Sequence, residues 1–269
     1  MFFAPLRELF FRNLQGPGAP ESDLARMIQV EHLVKTFRKT LAVDDISFHV
    51  RRGEVFALLG PNGSGKTTTM KTLVGLNLPT SGRVTIGGLD MATLPETVRR
   101  FISYLPQRVV FPGQLTAREV VAFHARLRGL DPSKVESVLE RVRLLEAADK
   151  PVEEFSGGMI QRLGLGIVLL PDAPVLLLDE PTASLDPQGV KRFREFMLEQ
   201  KEQGKTIVFS THLLNEVDQL ADRAAIFVGG RIVAEESVEN LRRAYSNTQT
   251  LEDLYLHYVS EFEQDRRSC

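Results

Sequence analysis

The chain has 269 residues, of which 43% are hydrophobic, and a formal net charge of −2. This composition is typical of a globular protein with one large domain or two small ones. The near-neutral charge gives no basic field for nucleic acid, and no apolar run approaches the roughly 20 residues of a membrane helix. The single cysteine, Cys269, cannot form an intramolecular disulfide, which fits a reducing compartment.

Residues 1–26 differ in pattern from the rest of the chain. An apolar helical face is broken by the Gly- and Pro-rich residues 15–20, and the charged pair Arg7 and Glu8 argues against a signal peptide. We expect a loosely ordered extension, with the folded domain beginning at Met27. A helix that docks on a membrane surface or on a partner is the alternative.

From Met27 onward, alternating apolar and polar residues predict β-structure. Strands are predicted at residues 28–34 and 46–50, and a further short strand at residues 83–87. Phe37 lies between the first two strands. Taken alone, Phe37 fits strand packing better than stacking on a nucleotide base.

A glycine-rich loop between an apolar strand and a helix is the strongest chemical signal. Residues 55–59 are apolar, and residues 60–67 match the phosphate-loop pattern. Glycines let such a loop turn its N–H groups toward a phosphate, and the following helix directs its positive end at the same anion. We expect Lys66 to neutralise β- and γ-phosphates and the Thr67 hydroxyl to hold Mg²⁺. The predicted nucleotide-binding residues of this loop are Gly60, Pro61, Asn62, Gly63, Ser64, Gly65, Lys66, Thr67 and Thr68.

An acidic strand end is the second chemical signal. Residues 174–178 are apolar and lead into Asp179 and Glu180, a pattern typical of a strand in the middle of a parallel sheet. In a phosphate-loop fold, Asp179 can hold Mg²⁺ and Glu180 can orient or deprotonate the attacking water. Read alone, the acidic pair could be a surface turn, but the apolar run before it favours a site.

The remaining elements are predicted by the same patterns. Residues 101–107 indicate a buried strand that ends in Gln107, and the following helical pattern indicates an inserted helical subdomain at about residues 108–160. A helix is predicted after the phosphate loop to about Leu76, and Ser156 is the predicted N-cap of a helix that runs to about Leu170. A further helix is predicted to end near Gln203, followed by a strand at 205–210 before His212, a hairpin at 222–235 and a helical tail at 237–269.

The sequence resembles the ATP-binding cassette family, the ATPase subunits of ABC transporters, over about residues 28–235. Several motifs occur in the family's order: residues 60–67 (Walker A), Gln107 (Q-loop), Ser156-Gly157-Gly158 with Gln161 (signature), residues 175–181 (Walker B), residues 184–186 (D-loop) and His212 (switch). Two signature residues depart from the family's pattern. The family usually has Leu where this chain has Phe155, and Lys, Gln or Arg where this chain has Ile160.

The resemblance implies an α/β fold: a P-loop NTPase core with a parallel sheet, an antiparallel β subdomain and the inserted α-helical subdomain, within residues 27–236. It implies a head-to-tail dimer that binds two ATP molecules with Mg²⁺. In it, one subunit offers the catalytic residues Glu180, His212, Gln107 and Lys66 and the metal ligands Thr67, Gln107 and Asp179. The other subunit offers Ser156, Gly157 and Gly158 to the γ-phosphate. Phe37 falls where the family carries its base-stacking aromatic residue.

The resemblance further implies transmembrane permease subunits as partners, a homodimer or a heterodimer with a second ABC ATPase, and a cytoplasmic position on the inner face of the cell membrane. No nucleic-acid partner is expected. Residues 104–119 look like ABC-2 exporter ATPases, and are loosely similar to copper-processing or nitrous oxide reductase maturation subunits.

Two other classes of protein carry a phosphate loop of this kind and are alternatives to the transporter subunit. A soluble ATP-driven clamp of the DNA-repair type would insert long coiled coils between Thr67 and Ser156, where this chain has no sustained heptads, and translation-factor relatives carry two cassettes. A non-catalytic regulatory module would lack the base or the switch histidine, and both Glu180 and His212 are present.

Overall fold

The computed structural model describes residues 26–245, 256 and 258–260. The extension predicted at residues 1–25 and most of the tail predicted beyond residue 245 therefore lie outside the described residues. The first strand begins at Arg26, one residue before the boundary predicted from the sequence.

A four-stranded antiparallel sheet carries the N-terminal part of the described chain. It consists of β1 (Arg26–Phe37), β2 (Thr40–Arg51), β4 (Ser81–Ile86) and β5 (Leu89–Asp90), in the order β2-β1-β4-β5. Between β2 and β4 the chain forms β3 (Val55–Leu59), which joins the other sheet. The long alternating strands confirm the predicted antiparallel β part of the fold.

A six-stranded sheet forms the centre of the molecule. It contains β3, β6 (Ile102–Leu105), β7 (Val175–Asp179), β8 (Thr206–Thr211), β9 (Arg223–Val228) and β10 (Arg231–Ser237), in the order β10-β9-β3-β8-β7-β6. Only the pairing of β10 with β9 is antiparallel. Every residue of β3, β7 and β8 is buried, as expected for central parallel strands covered on both faces.

Eight α-helices have described bounds. They are α1 (Lys66–Leu73), α2 (Pro95–Arg99), α3 (Ala117–Leu127), α4 (Lys134–Arg141), α5 (Gly157–Leu169), α6 (Pro187–Glu202), α7 (Leu214–Leu220) and α8 (Val238–Tyr245). The sequence patterns missed α2 and α7, and the helix after the phosphate loop ends at Leu73 rather than near Leu76. It ends there because Gly75 takes a left-handed conformation at φ 69°. None of the helices in the described part of the chain is long and apolar enough to span a membrane.

Side chains that alternate along β3 divide the core into two clusters. Val55, Ala57 and Leu59 pack toward the side that includes α3, α4 and α5, whereas Phe56 and Leu58 pack toward the antiparallel sheet. The central sheet is thus held between the helical insertion and the antiparallel sheet. Because β3, β6, β7 and β8 are parallel, the segments that follow them emerge at one edge of the sheet.

Candidate active site

The glycine-rich loop leaves the carboxyl end of β3 and leads directly into α1. The N–H of Gly60 donates to the carbonyl of Thr211 over 3.2 Å, which ties the loop to the end of β8. Gly65 has φ 105°, and a Cβ there would lie 2.7 Å from the carbonyl oxygen of Ala42 on β2. Glycine is required at residue 65 because backbone conformation and space both exclude a side chain.

Lys66 is held inside this loop. Its Nζ donates to the carbonyl oxygens of Gly60 at 2.7 Å and Pro61 at 2.9 Å, and lies 4.0 Å from Oε1 of Glu180. Burial lowers the pKa of Lys66, while the carboxylates of Glu180 and Asp179 act in the opposite direction. The ammonium is therefore directed at the point where the loop meets the acidic end of β7.

Asp179 shares one carboxylate oxygen between two hydroxyl groups. Thr67 Oγ1 donates to Asp179 Oδ1 over 3.1 Å, and Ser210 Oγ donates to the same oxygen over 2.6 Å. Burial raises the pKa of Asp179, and these hydrogen bonds act against the rise. The buried Oδ2 has no hydrogen-bond partner among the described residues. Mg²⁺ prefers oxygen ligands such as a carboxylate oxygen and a threonine hydroxyl, and these two groups lie next to each other here. Thr67 and Asp179 therefore fit such an ion.

The described residues contain no group of three or more His, Cys, Asp and Glu side chains that could hold a metal ion. Magnesium sites in nucleotide-binding proteins use one or two protein ligands together with phosphate oxygens and water. The pair of Thr67 and Asp179 suits an ion that arrives with a nucleotide.

Glu180 is a buried carboxylate with a strained backbone. Its φ is 46°, a left-handed conformation that is uncommon for a residue with a long side chain, and its N–H donates to Ser210 Oγ over 2.9 Å. Its Oε1 faces Lys66, and its Oε2 lies 3.7 Å from Nδ1 of His212. The side chain is only 8% exposed. The strand ends thus bring Lys66, Glu180 and His212 together, as the sequence predicts.

Gln107 and Phe37 lie apart from this cluster. Gln107 is exposed in the bend two residues after β6, and the register of β6 with β7 sets it at the same sheet edge as Glu180. No hydrogen bond joins Gln107 to Thr67 or Asp179 within the described chain, so its predicted role as a metal ligand stays a prediction. Phe37 is 44% exposed at the end of β1, with Lys35 Nζ 4.7 Å from its ring centre.

Ser156 caps the N-terminus of α5, as expected from the sequence. Its side chain accepts a hydrogen bond from the N–H of Met159 over 3.3 Å. A Cβ on Gly157 or Gly158 would meet only Ser184, at 3.8 and 3.5 Å, which are ordinary contact distances. Within the described chain no hydrogen bond joins this helix start to the phosphate loop.

The two departures from the family's signature belong to the core. Phe155 is buried, and Ile160 is a partly buried side chain packed against the same core cluster. Both side chains therefore pack against the core, Phe155 fully and Ile160 in part.

Two residues of the site were missed by the sequence patterns. Ser210 binds both Asp179 and the backbone of Glu180, and the signal for it was a polar residue at the end of an apolar strand. Glu216 on α7 accepts hydrogen bonds from Thr182 and Thr211. No sequence signal pointed to Glu216, because the helix that carries it was not predicted.

Comparison with known proteins finds similarity to ATP-binding proteins of ABC transporters. A family model described as ABC transporter matches residues 43–183. An uncharacterised ABC transporter ATP-binding protein, YcbN of Bacillus subtilis (strain 168), is 38% identical over 84% of this chain and 74% of its own length. The Nod factor export ATP-binding protein I of Rhizobium etli is 36% identical over 81% of this chain and 71% of its own length.

A solved structure extends this result to three dimensions. The dimeric ATP-binding cassette MJ0796, in a post-hydrolysis state with ADP and phosphate bound, matches with a TM-score of 0.74 and 25% identity. The match covers 79% of this chain and 99% of that one.

Proposed function

The chain belongs to the ABC transporter family, and we propose that its phosphate loop, Glu180 and His212 form one half of a two-subunit site for ATP hydrolysis. It is an ATP-binding subunit whose ATPase activity powers transport. A soluble clamp of the DNA-repair or translation-factor type is not favoured, because the relatives are transporter subunits.

Glu180 is the general base in this proposal. Its carboxylate accepts the proton of the attacking water. Lys66, on one side of Glu180, holds the phosphates of the nucleotide, and the imidazole of His212 lies on the other side. Thr67 and Asp179 would hold Mg²⁺, with Gln107 as a further ligand from the adjacent strand end. The ion would supply positive charge that offsets the negative charge on the transferred phosphoryl group.

The position of Glu180 carries this assignment, since one buried carboxylate contacts both a loop lysine and a strand-end histidine. Glu180→Gln is expected to retain ATP binding and to lose about a hundredfold or more in turnover. Glu96→Gln, at an exposed position on α2, is the matched control and should hydrolyse ATP at the wild-type rate. Wild-type turnover by Glu180→Gln would remove Glu180 from the role of base.

A second copy of this chain completes the site in our proposal. The start of α5 offers the Ser156 hydroxyl and the N–H groups of Gly157 and Gly158, which together form an anion site at a helix N-terminus. Packing inside the chain leaves room for a Cβ at both glycines, so their bare backbones are free to approach a γ-phosphate from outside. A heterodimer with another ABC ATPase is the alternative to the homodimer.

An apolar groove supports docking to a membrane subunit. It has a volume of about 490 Å³ and lies between β6, the segment after Gln107, and the helices α3 and α5. Val110 is 71% and Phe123 48% exposed there, and Phe111 and Phe123 both meet the ring of His124 edge-on. We propose that a short segment of the membrane partner fills this groove and holds the chain at the inner face of the cell membrane.

The docking proposal is tested by charging the groove. Phe123→Asp should shift the chain from the membrane fraction to the supernatant of lysed cells, whereas Leu198→Asp should not. Leu198 is equally exposed, at 48%, but lies on α6 outside the groove. Equal membrane fractions for the two variants would contradict the proposed groove.

We propose export as the direction of transport, of the ABC-2 type, since residues 104–119 resemble such ATPases and a relative is named for Nod factor export. The narrower prediction of a copper-processing or nitrous oxide reductase maturation subunit rests on those residues alone. Identification of the membrane protein that copurifies with the chain tests both. A partner that imports its cargo with a binding protein would contradict export.

A further inference from the structure

A buried carboxylate outside the proposed catalytic set connects two strand-end segments of the site. Glu216, in the first turn of α7, is 1% exposed. Its Oε1 accepts a hydrogen bond from Thr182 Oγ1 over 2.5 Å, and its Oε2 accepts one from Thr211 Oγ1 over 2.6 Å. Both oxygens are thus engaged, and each by a different part of the chain.

The two threonines flank the residues that we assign to hydrolysis. Thr182 comes two residues after Glu180, and Thr211 comes directly before His212. Thr211 Oγ1 also accepts a hydrogen bond from the N–H of Leu213 over 3.0 Å. The proton of the Thr211 hydroxyl is then the one that is donated to Glu216. The backbone is therefore fixed on both sides of His212.

The strained backbone of Glu180 needs restraint from its surroundings. A residue held at φ 46° persists only where neighbouring contacts determine its conformation. Ser210 holds the N–H of Glu180 from one side, and Thr182, held by Glu216, fixes the chain just after it. Without the second restraint, the segment from Glu180 to Thr182 could relax and carry the carboxylate away from His212.

We propose that Glu216 is a positioning residue that fixes Glu180 and His212 relative to each other for hydrolysis. This inference rests on the catalytic roles proposed above. Among the described residues no hydrogen bond or ion pair joins Glu216 to the phosphate loop or to Lys66, and its two threonines are its hydrogen-bond partners there. Its loss should slow the chemical step while ATP still binds at the phosphate loop.

Steady-state hydrolysis by the full-length chain tests the proposal. Because sub-ångström to ångström misplacement of a catalytic group costs up to about a hundredfold in rate, Glu216→Ala is expected to lower kcat by about tenfold or more. The KM for ATP should stay within about twofold, since binding and chemistry are separable. Glu216→Gln should recover part of the rate, because its amide oxygen still accepts one hydroxyl. Asp218→Asn, on the same helix but paired with Arg242 at the surface, is the control with wild-type kcat.

A double-mutant cycle separates positioning from general stability. Thr182→Val and Thr211→Val keep the side-chain shape and each remove one hydroxyl from Glu216. If Glu216 links the two segments, either variant alone lowers kcat, and the double variant loses clearly less than the product of the two single losses. A loss equal to that product would mean that the two threonines act independently. This cycle carries the test if Glu216→Ala does not fold.

The outcomes are distinguishable from those of the proposed function. Wild-type kcat in Glu216→Ala, or in both threonine variants, together with inactive Glu180→Gln, would overturn the positioning role alone. Equal losses in kcat and in ATP binding would also overturn it, since they indicate a general loss of structure. Wild-type turnover by Glu180→Gln would instead overturn the role of Glu180 itself.

Discussion

Ser210 is the residue whose removal should affect both site carboxylates at once. Its hydroxyl donates to Asp179 Oδ1 over 2.6 Å and accepts the N–H of Glu180 over 2.9 Å, and the residue is fully buried. In Ser210→Ala, Asp179 keeps only the Thr67 hydroxyl, and the Glu180 N–H has no remaining partner in the described structure. Asp179 Oδ2 is unpartnered even before the change.

The expected cost follows from these two bonds. A hydrogen bond to a charged group contributes about 1.5–3 kcal/mol, and a buried N–H left unpaired costs about 1–3 kcal/mol. We expect Ser210→Ala to lower the free energy of unfolding by about 3 kcal/mol, since the two losses overlap at one site. For a domain of this size, that corresponds to a fall in Tm of about 6–12 °C.

Ser103→Ala provides the matched control. Ser103 lies on β6, is 1% exposed, and its Oγ has no hydrogen-bond partner within the described residues. Removing an unsatisfied hydroxyl exposes no partner group, so the change in Tm should be small. Both variants are compared by thermal unfolding monitored by circular dichroism. A fall in Tm for Ser210→Ala no larger than that for Ser103→Ala would refute the reasoning.

The stability difference should also depend on pH. Burial raises the pKa of Asp179 above its unfolded value, so the ionised carboxylate costs stability at neutral pH and protonation relieves that cost. Loss of the Ser210 hydrogen bond raises this pKa further, because a donor to the charged form is gone. The gap in Tm between wild type and Ser210→Ala should therefore narrow as the pH falls from neutrality toward the raised pKa. A gap that widens on acidification would contradict this assignment.

Three further changes test the nucleotide site. Gly65→Ala puts a Cβ 2.7 Å from the Ala42 carbonyl oxygen at φ 105°, so it should abolish binding of a fluorescent ATP analogue. Gly129→Ala is the control: it also lies at a positive φ, 62°, but its Cβ meets nothing within 4 Å, so binding should be retained. Phe37→Ala should weaken ATP affinity by about tenfold if its exposed ring stacks on the base. Unchanged affinity would indicate that Phe37 serves only in strand packing. Thr67→Val should lose the Mg²⁺ dependence of ATP binding measured by calorimetry, and an unchanged dependence would remove Thr67 as a ligand.

The sequence predicted those parts of the site that local pattern determines. The apolar strands β3 and β7, the glycine-rich loop and Asp179 with Glu180 were identified because strand burial and loop chemistry are visible in consecutive residues. The N-cap role of Ser156 was likewise predicted from its position before a helical pattern.

The contacts between distant segments could not be read from the sequence. The bond between Ser210 and Asp179 exists because β7 and β8 are neighbours in a register that pairs these two residues. Glu216 was missed because α7 has only seven residues, and its two threonines come from segments that meet only in the folded chain. Strand order and register depend on tertiary packing, which short-range periodicity does not specify.

The site that we propose is complete only when two copies of this chain meet, and mixing two inactive variants tests this. Lys66→Ala disables the phosphate loop, and Ser156→Arg disables the start of α5, so neither variant alone should hydrolyse ATP. In a mixed head-to-tail dimer, the loop of the second variant faces the helix start of the first, and one intact site is restored. With random pairing, the ATPase rate of an equal mixture should return to roughly a quarter of the wild-type rate. A mixture as inactive as its components would contradict a site shared between two copies.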